Sequence, residues 1–203
     1  MTAVLSTTPE QMPQGLSFKI PDKGLNDETF LEFCQLNPEL RIERNAQKNI
    51  FIIAPTTSET GNKNFEIVAE LAIWNRKYQL GEGFDSSTGF KLPNGAERSP
   101  DLAWIRKDRW EALTRAERKR FAPIAPDFVL ELRSEEQSLA YLKEKMEEYI
   151  AVGCYLGWLV DPKGRKTFVY TENGDIQTVS FDDTLSGGEV LPGFELRLAD
   201  LFK

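Results

Sequence analysis

The chain has 203 residues, 40% of them hydrophobic, which suits one folded domain with a substantial core. It contains no histidine, which excludes Ser-His-Asp catalysis, Cys-His catalysis and histidine-based zinc hydrolases. The net charge of −7 argues against a broad, non-specific coat on nucleic acid but leaves room for a local basic groove.

The first residues have the composition of a loosely ordered segment. Residues 1–25 hold three prolines among polar residues, and we expect a flexible arm there, followed by a single domain at 26–203. No signal peptide and no run of ~20 apolar residues is present, so we expect a cytoplasmic protein without a membrane partner. In that compartment Cys34 and Cys154 are expected to be buried thiols, with a disulfide as the lesser alternative.

The first half of the domain is predicted to contain a short helix, strands, a long helix and a hairpin. Asn26 or Asp27 can cap a helix that runs through Phe33 and stops at Asn37-Pro38. The elements predicted next are strands at 40–43 and 49–54, a loop at 55–62, a helix at 64–78 ended by Gly81 and Gly83, and strands at 84–92 and 97–106 around the turn Pro93-Asn94-Gly95.

The second half is predicted to contain a strand–helix–strand unit and a second hairpin. Its predicted elements are a basic helix at 114–121, a strand at 128–132, an amphipathic helix at 138–151, a strand at 155–160, and a hairpin of 168–171 and 176–181. We expect the unit at 127–160 to be a right-handed crossover between parallel strands. This order predicts an α/β or α+β domain with helices packed on one sheet. The basic helix is better explained as a solvated face than as a phosphate contact.

Two carboxylates and one lysine lie in or beside apolar segments, where a charged side chain is unexpected. Asp101 begins an apolar strand, and Glu131 lies inside another, where an unpaired carboxylate costs several kcal/mol to desolvate. Glu131 must therefore be paired, protonated, exposed or bound to a metal. Lys145 borders the apolar stripe of the next helix. The structural alternatives are a turn at Asp101, an ion pair of Glu131 with Arg133, and a snorkelling Lys145.

These residues together suggest metal-assisted chemistry on a phosphate. Glu70 borders the buried face of the long helix and completes the candidate set. Two carboxylates about 4 Å apart repel by roughly 4 kcal/mol at an effective dielectric of about 20, and a divalent cation removes that penalty. Carboxylate oxygens, water and phosphate are the ligands that Mg²⁺ prefers. A bound cation lowers the pKa of water, and a nearby ammonium can position that water or help to deprotonate it.

Several segments resemble the PD-(D/E)XK nuclease superfamily, and more closely a bacterial group of restriction-endonuclease-like proteins first catalogued as a domain of unknown function. The resemblance covers roughly residues 25–203. It rests on Ser99-Pro100-Asp101, Phe128-Val129-Leu130-Glu131-Leu132-Arg133-Ser134, Lys145-Met146-Glu147-Glu148-Tyr149, Gly153, Gly157-Trp158-Leu159-Val160-Asp161-Pro162 and Leu191-Pro192-Gly193-Phe194. It implies a restriction-endonuclease-like mixed β-sheet flanked by helices, Mg²⁺ or Mn²⁺ as cofactor, and hydrolysis of DNA phosphodiester bonds.

Position by position, the resemblance gives each candidate residue a role. Asp101 and Glu131 would be metal ligands, and Glu70 would be the acid of the N-terminal helix. The superfamily lysine follows the glutamate by two positions, where this chain has Arg133. In the group resembled the lysine comes from the next helix, at the place of Lys145. A guanidinium does not readily give up a proton, so the role beside the water goes to Lys145.

Three functions remain open at this point. The first is a Mg²⁺-dependent endonuclease in which Arg133 and Ser134 contact substrate or an ion-pair partner, and for which a homodimer would suit the two-fold symmetry of duplex DNA. The second is a catalytically silent protein of the same fold that binds nucleic acid or protein, which the acidic net charge favours. The third is a structural partner with Trp104, Trp110 and Trp158 at an interface, although core packing explains Trp158 better.

Overall fold

The computed structural model describes residues 21–22 and 25–202 of the chain. The flexible arm predicted at 1–25 lies almost entirely outside these described residues, so both the arm and the domain boundary beside it remain predictions. Within the described part, no helix is long and apolar enough to cross a membrane.

Twelve short strands and six helices make up the described part. In chain order they are α1 (Phe30–Leu36), β1 (Arg41–Arg44), β2 (Ile50–Ile53), α2 (Ser58–Tyr78), β3 (Gly81–Asp85), β4 (Phe90–Lys91), β5 (Glu97–Arg98), β6 (Leu102–Arg106), α3 (Lys107–Ala112), α4 (Arg115–Arg118), β7 (Phe128–Leu132), α5 (Leu139–Ala151), β8 (Leu156–Asp161), β9 (Lys166–Thr171), β10 (Ile176–Ser180), β11 (Leu185–Ser186), β12 (Glu195–Leu196) and α6 (Leu198–Leu201).

A six-stranded mixed sheet in the order β10-β9-β8-β7-β6-β3 is the largest sheet of the described chain. β7 and β8 are parallel and are connected through α5, whereas the other neighbouring strands are antiparallel. This arrangement confirms the predicted mixed sheet and its parallel strand–helix–strand unit. The other sheets have four strands in the order β2-β1-β5-β4 and two strands, β11 and β12.

Helices pack on both faces of the large sheet because β7 is apolar on both of its faces. Phe128 and Leu130 lie in one buried cluster with Leu71 of α2. Val129 points the other way and lies in a second cluster with Met146 of α5. Successive strand residues alternate between faces, so α2 and α5 cover opposite sides of the sheet.

The helix α2 begins earlier than predicted but ends at the predicted residue, Tyr78. It begins at Ser58, inside the predicted loop at 55–62, because the Thr57 side chain accepts a hydrogen bond from the backbone of the first turn. The residue after its last turn, Gln79, caps it in a left-handed conformation with φ 53°. Gly81 and Gly83, which were expected to end the helix, lie in β3 instead.

The strand predicted at 97–106 is two strands that belong to different sheets. β5 pairs with β1 and β4, and β6 pairs with β3 and β7. The break falls at Ser99-Pro100-Asp101, where proline has no backbone N–H to donate to a ladder. Asp101 is therefore placed between the two sheets. The strand predicted at 84–92 is divided in the same way, between β3 and β4.

The burial of the tryptophans and cysteines distinguishes between the alternatives that the sequence left open for them. Trp104 and Trp158 are fully buried, which confirms the core interpretation of Trp158. Trp110 is half-buried and packs edge-on against a phenylalanine. Cys34 and Cys154 are both free, and Cys154 is buried whereas Cys34 is half-buried.

Candidate functional site

Asp101 and Glu131 lie opposite each other at the junction of β6 and β7. The antiparallel ladder between these strands stops one residue short of both, so they occupy the next position in the register. Asp101 Oδ2 accepts a hydrogen bond of 2.9 Å from the backbone N–H of Leu132, the neighbour of Glu131. The two acids therefore share one end of the sheet, as the sequence predicted.

Lys145 extends from α5 between two buried carboxylates. It lies beside the buried Met146 on the face of the helix that covers the sheet. Its Nζ is 2.8 Å from Oε1 of Glu131 and 3.0 Å from Oε1 of Glu43. The side chains of Lys145, Glu131 and Glu43 are 5%, 3% and 1% exposed. One buried ammonium thus serves two buried acids.

Glu43 is a member of this cluster that the sequence analysis missed. It lies on β1, 102 residues before Lys145. Its Oε1 also accepts a hydrogen bond of 3.1 Å from the backbone N–H of Ser99, and its Oε2 lies 3.3 Å from Arg98. A buried charge within a strand was the signal available, but the four residues Arg41–Arg44 contain a single apolar residue, so no buried face could be recognised.

Further polar groups extend the cluster on either side. Arg98 donates from Nε to Glu148 at 2.7 Å, so both ends of its guanidinium contact acids. The hydroxyl of Tyr149 donates a hydrogen bond of 3.1 Å to Oε1 of Glu131. At the more exposed edge, Nη2 of Arg41 lies 3.3 Å from Oδ1 of Asp101. The cluster therefore runs from a buried centre to a partly exposed rim.

The charges in this cluster shift the pKa values of its central groups. Burial raises the pKa of Glu131 to about 7; Lys145 opposes the rise, whereas Asp101 and Glu43 add to it. Burial disfavours the charged form of Lys145, but attraction to Glu131 and Glu43 outweighs burial and raises its pKa. Burial likewise disfavours the charged form of Glu43, and Lys145 and Arg98 lower its pKa overall. Lys145 is thus charged at neutral pH, whereas Glu131 is near its midpoint.

The comparisons with known proteins agree with this architecture. The profile of the Uma2 family, described as "Putative restriction endonuclease", matches residues 27–199. The chain belongs to the Uma2 family. The crystal structure of a putative nuclease belonging to DUF820 from Anabaena variabilis ATCC 29413 has a similar fold, with a TM-score of 0.73 at 20% identity over 88% of this chain and 97% of that one. No curated protein matches. These findings confirm the predicted relationship and the restriction-endonuclease-like fold.

Glu70, Arg133 and Ser134 are not joined to the acid cluster of this Uma2 chain. Glu70 lies on α2, which covers the opposite face of the sheet, and no hydrogen bond or ion pair links it to Glu131 among the described residues. Arg133 pairs with Asp161 at 3.0 Å, so the alternative of an ion pair with Glu131 is wrong. Ser134 donates its backbone N–H to a neighbouring glutamine side chain. The site roles of these three residues remain predictions.

The donor chemistry at Asp101 and Glu131 fits a hard divalent cation. Mg²⁺ commonly takes one or two carboxylates and completes its shell with water and substrate phosphate. The Asp101 side chain is 19% exposed, so solvent reaches this end of the sheet. Among the described residues no three acidic, cysteine or histidine side chains form a ready cation cage. A cation here would therefore need water and substrate to complete its shell.

Proposed function

We propose that this chain is a divalent-cation-dependent endonuclease that hydrolyses DNA phosphodiester bonds in the cytoplasm. The observation that carries the proposal is the position of Lys145, whose Nζ lies 2.8 Å from Glu131 while Asp101 occupies the adjacent register position. A simple structural ion pair would need one acid for one lysine. The additional acid at a partly exposed edge is what a cation site for phosphate chemistry requires.

Asp101 and Glu131 would hold Mg²⁺ or Mn²⁺ through their carboxylates. When bound, such a cation stabilises charge on a phosphate oxygen and lowers the pKa of a coordinated water. Oδ2 of Asp101 is fixed by the backbone N–H of Leu132, and Oδ1 faces Arg41 through longer contacts of 3.3 and 3.4 Å. Membership of the Uma2 family, with its restriction-endonuclease description, supports DNA as the substrate.

Lys145 would orient the attacking water or a phosphate oxygen by donating a hydrogen bond. Its raised pKa keeps it protonated at neutral pH, so it does not act as the base that removes the proton of the water. Glu43 holds Lys145 from one side and the backbone of Ser99 from the other. It thereby fixes the lysine relative to the segment that carries Asp101.

The direct test is cleavage of plasmid and single-stranded DNA in Mg²⁺ or Mn²⁺, with Asp101→Ala and Glu131→Ala beside the wild type. We expect each substitution to lower the cleavage rate by about 10²-fold or more, because each removes a cation ligand. Asp175→Ala is the matched control, since it removes an exposed acid from the β9–β10 turn at the far end of the sheet. Cleavage that survives in both site variants would rule out this site.

The second candidate function is binding of nucleic acid or protein without catalysis. The contacts of Lys145 with two carboxylates and the net charge of −7 favour it. Calorimetric titration with Mg²⁺ separates the candidates: an enzyme binds the cation in a way that Asp101→Ala abolishes, whereas a silent protein binds DNA, with salt sensitivity, and no cation. A homodimer would let the endonuclease cut both strands of a duplex, and light scattering during gel filtration tests that assembly.

A further inference from the structure

Of the three arginines on β1 and β5, two have their charges paired with acids of the protein. Arg44 donates from Nε and Nη2 to both carboxylate oxygens of Glu97, at 2.8 and 2.7 Å, and is 3% exposed. Arg98 contacts Glu43 and Glu148 and is 5% exposed. Neither guanidinium is placed to contact a ligand.

The third, Arg41, is held in a different way. Its side chain is 31% exposed. Nη2 donates to the carbonyl oxygen of Ser99 at 2.6 Å, but Nη1 and Nη2 lie 3.4 and 3.3 Å from Oδ1 of Asp101. Charge-assisted bonds between such groups are normally about 2.7–2.9 Å long. Its Nε is buried and has no hydrogen-bond partner. Arg41 therefore combines a partly exposed side chain with only long contacts to the acid beside it.

The position of Arg41 relates it to the proposed cleavage site. Its Nη1 and Nη2 face Oδ1 of Asp101, whereas Oδ2 bonds to the backbone N–H of Leu132. A cation held by Asp101 would share a phosphate with the nearest guanidinium. Lys145 contacts Glu131 and Glu43 in the buried centre, whereas Arg41 lies at the partly exposed rim.

We infer that Arg41 binds the phosphate at which the DNA is cut, an assignment that rests on the proposed function. A guanidinium is always charged, is weakly hydrated and presents planar N–H donors that match phosphate oxygens. In this position it would bind the ground-state phosphate and stabilise the charge that grows on the phosphate oxygens during attack. Arg41 is then both a contributor to DNA affinity and a catalytic residue.

The test measures binding first, without any metal. Duplex DNA is titrated in EDTA at several NaCl concentrations, with fluorescence anisotropy as readout. Arg41→Gln removes one phosphate contact, so we expect the slope of log K against log [NaCl] to decrease in magnitude by about 0.9. Arg41→Lys keeps the charge and should keep the slope. Arg115→Gln is the control, because Arg115 is an exposed cation on α4, beyond the far end of β6 from Asp101.

Cleavage in Mg²⁺ then separates contact with the substrate from a structural role. We expect Arg41→Gln to lower kcat by about 10²-fold or more, and Arg41→Lys by about tenfold because the planar fork is lost. A wild-type salt slope in Arg41→Gln, with cleavage equal to that of Arg115→Gln, would overturn the inference while Asp101-dependent cleavage keeps the endonuclease. A wild-type protein that neither binds nor cuts DNA would overturn the proposed function and the inference with it.

Discussion

Two consecutive residues of β1 enter two ion clusters of different composition. Arg44 points into the cluster of Glu97, Asp27 and Lys48, in which two acids meet two bases. Its guanidinium also lies 4.5 Å from the centre of the Phe30 ring. Every charge there has an opposite partner, and no further ion is needed to balance it.

Glu43 points into the other cluster, where the acids outnumber the bases. Its acids are Glu43, Asp101, Glu131 and Glu148, and its bases are Arg41, Arg98 and Lys145. Burial raises the pKa of Glu131 to about 7, and the neighbouring Asp101 and Glu43 add to this rise. Buried ion pairs alone are weak evidence for function, but a deficit of one positive charge supports the cation site that we propose.

Replacing the central cation of each cluster would test this contrast most strongly. Lys145→Met and Arg44→Met should each lower the free energy of unfolding by about 3–5 kcal/mol, because buried carboxylates lose their partner. Millimolar Mg²⁺ should restore part of the loss in Lys145→Met, since a cation can take the place of the ammonium, and none in Arg44→Met. Urea unfolding with and without Mg²⁺ measures both. An equal response of the two variants would contradict the distinction between the clusters.

The pH dependence of stability tests the raised pKa of the buried Glu131. The pKa of Glu131 is raised from its usual 4.5 to about 7, so between these values the folded protein holds a proton that the unfolded chain has released. The contribution of Glu131 to the free energy of unfolding is therefore present at low pH and is lost as the pH rises through about 7. The total is on the order of 3 kcal/mol. Glu131→Gln should flatten this part of the curve of unfolding free energy against pH, and the control Asp175→Asn should not.

The smallest expected effect comes from a pair of buried tyrosines. The hydroxyl of Tyr149 donates to Glu131, whereas the buried hydroxyl of Tyr170 has no hydrogen-bond partner. Tyr149→Phe should cost about 1 kcal/mol, since a buried hydrogen bond to an acid is lost. Tyr170→Phe should cost nothing or stabilise the fold slightly. Thermal unfolding of both variants compares them, and a greater loss in Tyr170→Phe would mean that the acid cluster gains nothing from its tyrosine.

The parts of the site that the sequence predicted lie in elements with clear periodicity. β7 has the predicted bounds, 128–132, and the predicted faces, because apolar residues fill both sides of a five-residue strand. Lys145 was recognised from its place beside the apolar stripe of α5. Asp101 and Glu131 are predicted to lie close together because they belong to neighbouring strands. The register of β6 against β7 agrees with this prediction.

The parts that escaped prediction depend on pairing between distant, very short strands. β5 has two residues and meets β1 at a single register pair, Arg44 with Glu97, so neither strand shows a period that can be read. That pairing brings Arg41 and Glu43 to the site, across more than fifty residues of sequence. The early start of α2 was missed for another reason: its first turn depends on the cap from Thr57, not on apolar spacing.

The register of β7 determines which kinds of sequence change this protein can tolerate. The strand is paired on both sides, antiparallel to β6 and parallel to β8, and Glu131 and Leu130 face opposite helices. A one-residue slip moves every side chain of a strand to the other face of the sheet. Deletion of one residue within β7 would therefore place the glutamate among the tryptophans under α2 and a leucine against Lys145. Insertions and deletions should therefore be excluded from this strand during evolution, while loops such as the β9–β10 turn can accept them.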